Sequence, residues 1–249
     1  PLSHLSIVPY LRILHVGAAA AMASIVASCA VPVFSNPVPE AMAGALAVRY
    51  AALVYLAALA AAVVVSEMRA ESTPGANGNA SGVAAILALG ARLHRTWPAT
   101  CDVWLLATGA GEAGHKGMDH FMASHDIDKE NTFFLTIDHV GAGDLRYVEA
   151  EGLVNQLRCA AKLIGMAQTM ADTVPITPLR VTGRTSDLFI PLSRGFNALR
   201  LTATGPDGIP VRWRSVSDTA DLVEPALIRK AVDVAEEIVR ALDAEQVAE

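Results

Sequence analysis

Two long apolar stretches open the chain. From Ile13 to Phe34 there are 22 residues without a formal charge, and a helix rising about 1.5 Å per residue needs no more than that to cross a hydrocarbon core of roughly 30 Å. A turn-like segment, Ser35-Asn36-Pro37-Val38-Pro39, separates it from a second stretch, Met42 to Val65. Only Arg49 interrupts the second stretch, close enough to its start to snorkel to an interface. The pattern predicts a two-helix transmembrane hairpin over residues 1–66, hence a multi-pass membrane protein with lipids as a partner. A signal peptide followed by a buried core helix competes with it but lacks an AxA-like cleavage site before charged sequence. Arg12 and Arg69 fall on one side of such a hairpin, too few charges to fix the side of the remaining domain.

Beyond residue 66 the periodicity changes. Val83, Ile86, Leu87, Gly90 and Leu93 follow helical spacing from Ser81, and Trp97-Pro98 ends the run. Val103-Trp104-Leu105-Leu106-Ala107 and Phe133-Phe134-Leu135-Thr136-Ile137 are short apolar runs with the pattern of strands buried on both faces. Ala113 to His125 leaves room for one helix between them, and Asn155 to Ala171 predicts another. Ala198 to Ala203 reads as a strand. Ile228, Ala231, Ala235, Ile238 and Leu242 form a helical stripe after Pro225. Alternating helices and strands imply an α/β domain over residues 67–249, with a sheet covered on both faces and a ligand site outside the carboxyl ends of its strands.

Composition separates the same two parts. The 19 Lys and Arg and 25 Asp and Glu make 44 charged side chains, of which only Arg12, Glu40 and Arg49 precede residue 67. A net charge of −6 without a basic cluster removes nucleic acid from the partners expected. Cys29, Cys101 and Cys159 are odd in number and widely spaced, which argues against a disulfide framework or a structural zinc site.

Four segments carry the candidate chemistry. They are Gly75-Ala76-Asn77-Gly78-Asn79-Ala80-Ser81-Gly82-Val83, Thr108-Gly109-Ala110-Gly111-Glu112-Ala113-Gly114, Thr136-Ile137-Asp138-His139-Val140-Gly141 and Trp213-Arg214-Ser215-Val216-Ser217-Asp218-Thr219. In order and spacing they resemble the G-A-N-D-N-A-S-G-V, T-G-A-E-E-x-G, N-L-D-M-V-G and W-H-x-P-x-D-T segments of the M28 zinc aminopeptidases, from about Pro74 to the C-terminus. The resemblance implies a three-layer α/β/α domain. It also implies two zinc ions roughly 3.5 to 4 Å apart that activate water, with a bridging carboxylate and a Glu as general base.

Carried over position by position, the resemblance makes Glu112 and Asp138 metal ligands, one for each ion. The bridging Asp falls on Gly78, the general base on Gly111 and the late His ligand on Arg214. Glycine has no side chain to coordinate or to take a proton, and arginine stays cationic. All seven histidines precede residue 140, so no imidazole follows to replace the late ligand. The family's H-x-D pair is missing before the Gly-rich loop, where Glu67-Met68-Arg69 stands. Either it lies upstream of Pro1 in a longer polypeptide or it is lost with its strand. The first is expected, because losing an early strand would expose a sheet edge.

Two compensations suggest themselves. His115 and His139 are rescue ligands for a single-metal site with Glu112 and Asp138. Alternatively the Arg214 guanidinium takes the lost cation's place beside a buried Glu112. Without metal, Glu112 reads as a helix-start acid and Asp138 as a turn or capping residue. The Ser186-Asp187 step resembles an S-D or T-D step of the family, and no role is carried to it. No G-x-S-x-G elbow is present. The expectation is a membrane-anchored M28-like pseudopeptidase, impaired or inactive, that binds peptides or a protein partner. An active zinc aminopeptidase and a structural membrane subunit are the alternatives.

Overall fold

A computed structural model describes residues 8–34, 39–69 and 72–248. The chain divides into two compact units, Pro1–Ser72 and Thr73–Glu249.

The first unit consists of helices α1 (Val8–Phe34) and α2 (Pro39–Arg69), packed on each other. Small residues line the contact: Ala21, Ser28 and Ala52 are buried, and the Tyr55 hydroxyl lies 2.6 Å from where a Cβ on Gly17 would stand. Small side chains let the two apolar helices approach closely. Arg49 donates to the Ser28 carbonyl oxygen at 3.2 Å, satisfying part of its guanidinium on the neighbouring helix. Within α2, Met42–Val65 is long and apolar enough to cross a membrane; the apolar part of α1, Val16–Ala30, is shorter. The turn-like residues 35–38 lie outside the described residues.

The second unit is built on a mixed five-stranded sheet: β1 (Phe133–Ile137), β2 (Asp144–Gly152), β3 (Leu157–Arg158), β4 (Thr177–Thr182) and β5 (Asn197–Thr204). β1 runs parallel to β5, β5 antiparallel to β2, and β2 parallel to β4; β3 adds a short antiparallel pair at the end of β2. Helices α3 (Ser81–Leu93), α5 (Ala161–Thr169) and α7 (Pro225–Ala248) pack together and onto the sheet. α4 (Lys116–Ser124) packs on α6 (Phe189–Ser193), which lies against β3 and β5. β5 is buried throughout from Ala198 to Thr204, as a strand covered on both faces must be. The expected stripe on α7 forms core: Ala231, Ala235 and Ile238 are buried.

Two expected elements differ. Val103 to Ala107 is not a strand: residues 101–110 have no regular structure, and Trp104 and Leu105 are exposed. β1, the natural neighbour for an apolar strand, pairs with β5 on one side only among the described residues, so the 103–107 run has pattern without a partner. The helix expected from Asn155 to Ala171 begins only at Ala161, because Leu157–Arg158 pairs with β2 first.

Candidate functional site

The Gly-rich loop closes over the end of β1, and most of its motif is spent on holding itself there. Asn77 is fully buried. Its side-chain oxygen accepts from the Gly141 N–H (2.8 Å) and its amide nitrogen donates to the Val211 carbonyl (3.1 Å). Ser81 Oγ donates to the Asn77 carbonyl (2.7 Å) and accepts from the Val140 N–H (3.0 Å). Asp218, also buried, accepts from the Asn77 and Gly78 N–H groups at 2.8 and 3.0 Å. Gly82 lets α3 come down on the strand end, since a Cβ there would collide with the Ile137 carbonyl oxygen and Asn79 Oδ1. These residues join loop, β1 and the 211–218 segment without metal.

At Gly78 the space a side chain would need is filled. His139 Nε2 lies 2.5 Å from the position of a Cβ on Gly78, and His139 itself holds a left-handed backbone, φ 51°. Its Nδ1 is 3.4 Å from Asp138 Oδ2. Asp138 is buried and committed to protein: Arg200 Nε donates to its Oδ1 at 2.6 Å.

Arg200, in the middle of β5 and buried, also reaches Glu151 Oε2 at 3.3 Å. Glu151 is fully buried and accepts in addition from Ser186 N and Ser186 Oγ, each at 2.9 Å. Burial pushes the Asp138 carboxyl up, but Arg200 and then His139 outweigh it and hold the group well below the usual carboxylate range. Burial pulls the Arg200 guanidinium down, and the two carboxylates more than reverse this. Nearby Arg184 feels burial and the repulsion of Arg200 together, which lower it to about 10.

Glu112 and Arg214 pair directly, Nη2 to Oε2, and Arg214 lies over the Trp213 ring with its guanidinium carbon 4.7 Å from the centroid. The pair is open to water, with side chains 70% and 61% exposed. The expectation of a buried Glu112 that needs a compensating cation is therefore corrected: water already solvates this carboxylate. Gly111, at the general-base position, faces Asp187, whose Oδ1 is 3.6 Å from a Cβ position there.

His115 does not join Glu112 and Asp138. Its Nδ1 is 2.9 Å from Asp187 Oδ1 and its Nε2 is 2.9 Å from Thr185 Oγ1, so both ring nitrogens are engaged. His139 stands beside Asp138, with its ring over Gly78. Among the described residues no three His, Cys, Asp or Glu come together to hold a metal ion. With one retained carboxylate on Arg200, the other on Arg214 and position 78 covered by imidazole, the residues present do not fit a pair of zinc ions.

Sequence reading missed Arg200, Glu151 and Arg184. Arg200 carried a signal, because a lone charge inside an otherwise apolar strand must find a buried partner. Glu151 lay in a stretch with no predicted element.

The sheet, its helices and the loop over the β1 end agree with comparisons to known proteins. The family model "Peptidase family M28" matches residues 61–239, more than half of the sequence, and the chain belongs to that family. Its fold is similar to BSAP, a zinc aminopeptidase from Bacillus subtilis, with 21% identity and a TM-score of 0.55 over 68% of this chain and 43% of that one. An aminopeptidase from Aneurinibacillus sp. strain AM-1 has 22% identity and a TM-score of 0.53, over 67% and 39%. The LapA aminopeptidase of Legionella pneumophila has 16% identity and a TM-score of 0.54, over 69% and 46%. The chain thus spans less than half the length of these relatives. No curated protein matches it.

Proposed function

We propose that this chain is a membrane-anchored pseudopeptidase: a peptidase family M28 fold whose zinc chemistry is impaired or absent and whose remaining role is to bind a peptide or protein partner. One observation carries the reading. Asp138, the buried carboxylate left at a family ligand position, is paired with Arg200, while Glu112, at the other, is solvent-exposed beside Arg214. A guanidinium keeps its charge at any working pH and offers donors only, so it neutralises a carboxylate where a metal would otherwise do so and cannot deliver water to a substrate. Gly78 and Gly111 supply no bridging ligand and no base. Losing an acid–base group alone lowers turnover about 10²- to 10⁴-fold.

Anchoring rests on α2, whose Met42–Val65 segment is long and apolar enough to span a bilayer, with α1 as the second arm of a hairpin. The test is release of N-terminal residues from aminoacyl p-nitroanilides by detergent-purified protein, with and without added zinc. The expected result is no turnover above a metal-free control; zinc-dependent release would overturn the reading in favour of a working aminopeptidase.

A further inference from the structure

One constellation in the same unit uses neither Glu112 nor Asp138, and holds His115 in contacts of its own. Asp187, His115 and Thr185 form a continuous hydrogen-bonded row: Asp187 Oδ1 is 2.9 Å from His115 Nδ1, and His115 Nε2 is 2.9 Å from Thr185 Oγ1. Thr108 Oγ1 donates to the second oxygen of Asp187, which fixes the carboxylate from the other side. The side chains of His115 and Asp187 are 14% and 16% exposed, shielded from bulk water but reachable.

His115 also sits in the left-handed region at φ 60°, uncommon for a side chain of its size, and directly before α4. Strain of that kind persists where surrounding contacts enforce it, and it collects at functional sites. A side chain at position 111 would meet Asp187 Oδ1, 3.6 Å from a Cβ there, so the glycine leaves this end of the row uncovered.

The three residues hold the relations of a hydroxyl nucleophile, its base and the group that orients the base. We infer that Thr185 is a metal-independent nucleophile, His115 its general base and Asp187 the positioning residue, acting on an acyl group carried as an ester or amide. With its Nδ1 proton donated to Asp187, His115 presents the Nε2 lone pair to the Thr185 hydroxyl. Thr185 Oγ forms a bond to the carbonyl carbon as its proton passes to Nε2. The bond to the leaving alcohol or amine then breaks, and that group departs with the proton from Nε2. Water next attacks the threonyl ester and gives a proton to Nε2, and Thr185 leaves with that proton restored.

This inference does not depend on the zinc reading, so it is tested with chelator present. The full chain, in detergent with EDTA, is treated with a fluorophosphonate, which phosphonylates an activated hydroxyl and releases fluoride. The labelled residue is located by peptide mass spectrometry. Label is expected on Thr185, retained in Thr185→Ser, and slowed about 100-fold in His115→Ala and Asp187→Asn, with circular dichroism confirming that each variant is folded. No label on Thr185 in folded protein, or a labelling rate indifferent to His115→Ala, would overturn it and leave a hydrogen-bonded brace. Zinc-dependent release of N-terminal residues would refute the pseudopeptidase reading and leave this result untouched.

Discussion

Arg200 decides how the retained Asp138 behaves. It sits buried between Asp138 and Glu151, and removing one partner of a buried ion pair is far costlier than replacing the pair, because the remaining charge is left without water or counter-ion. Arg200→Leu should therefore destabilise the domain by about 3–5 kcal/mol in urea unfolding, and a loss below about 1 kcal/mol would show that the two carboxylates find other compensation. Arg214→Ala should cost little in the same measurement. Its partner Glu112 is exposed, and exposed ion pairs contribute at most about 1 kcal/mol. Arg214 stands in a motif segment and Arg200 alone in an apolar strand, and burial sets how much each pairing is worth. Cys159 follows the same logic. Burial first, and the Glu151 charge after it, push its thiol up to about 12, so iodoacetamide at pH 8 should leave Cys159 unmodified in folded protein and modify it after denaturation.

Among the elements, the apolar strands β1 and β5 and the long helices α3 and α7 were legible, and β2, β4 and α6 were not. α7, β1 and β5 announce themselves by period and by apolar runs, α7 being buried along a stripe, β5 on both faces and β1 half-buried along its length. The 103–107 run shows the limit of that signal. It has the composition of a buried strand, but strand structure is a property of the partner as well as the sequence, and no described strand pairs with it. The long polar-edged β2 went unread because its alternation includes Arg146, Glu149 and Glu151, charges that pay for themselves only through contacts made in three dimensions.

α7 carries a pH prediction of its own. Asp243 accepts from Thr100 Oγ1 and from the N–H groups of Ala99, Thr100 and Cys101. The Thr100 hydroxyl first, and those N–H groups with it, hold the carboxyl at about 2 against an ordinary 3.8. A depressed carboxyl stabilises the fold above its ordinary value and loses that contribution as pH falls through the folded one. The thermal midpoint should thus fall between about pH 4 and 2, less steeply in Asp243→Asn. Identical slopes for the two proteins would remove Asp243 from the account. In α2, Val54→Arg places a charge near the middle of Met42–Val65, where insertion costs about 2.5–3.5 kcal/mol. Alkaline extraction of membranes should release the variant and not the parent chain.

At the scale of the molecule, the family's fold is present while only two of its ligand positions, Glu112 and Asp138, carry a carboxylate. Asn77, Ser81, Gly82 and Asp218 bind loop to sheet and are present; of the positions that the resemblance gives to coordination or proton transfer, Glu112 and Asp138 keep a carboxylate and Gly78, Gly111 and Arg214 do not. That division was readable from the motifs, because a glycine or arginine cannot do the chemistry wherever it lies. What stands beside these positions was not, since His139 over Gly78 and Arg200 on Asp138 come from side-chain placement that spacing does not encode. The most direct test is zinc stoichiometry by elemental analysis on the detergent-purified, well-folded chain after dialysis against a zinc buffer. The account predicts far less than one ion per chain. About two would contradict it, requiring His139 to leave Gly78 and both arginines to release their carboxylates.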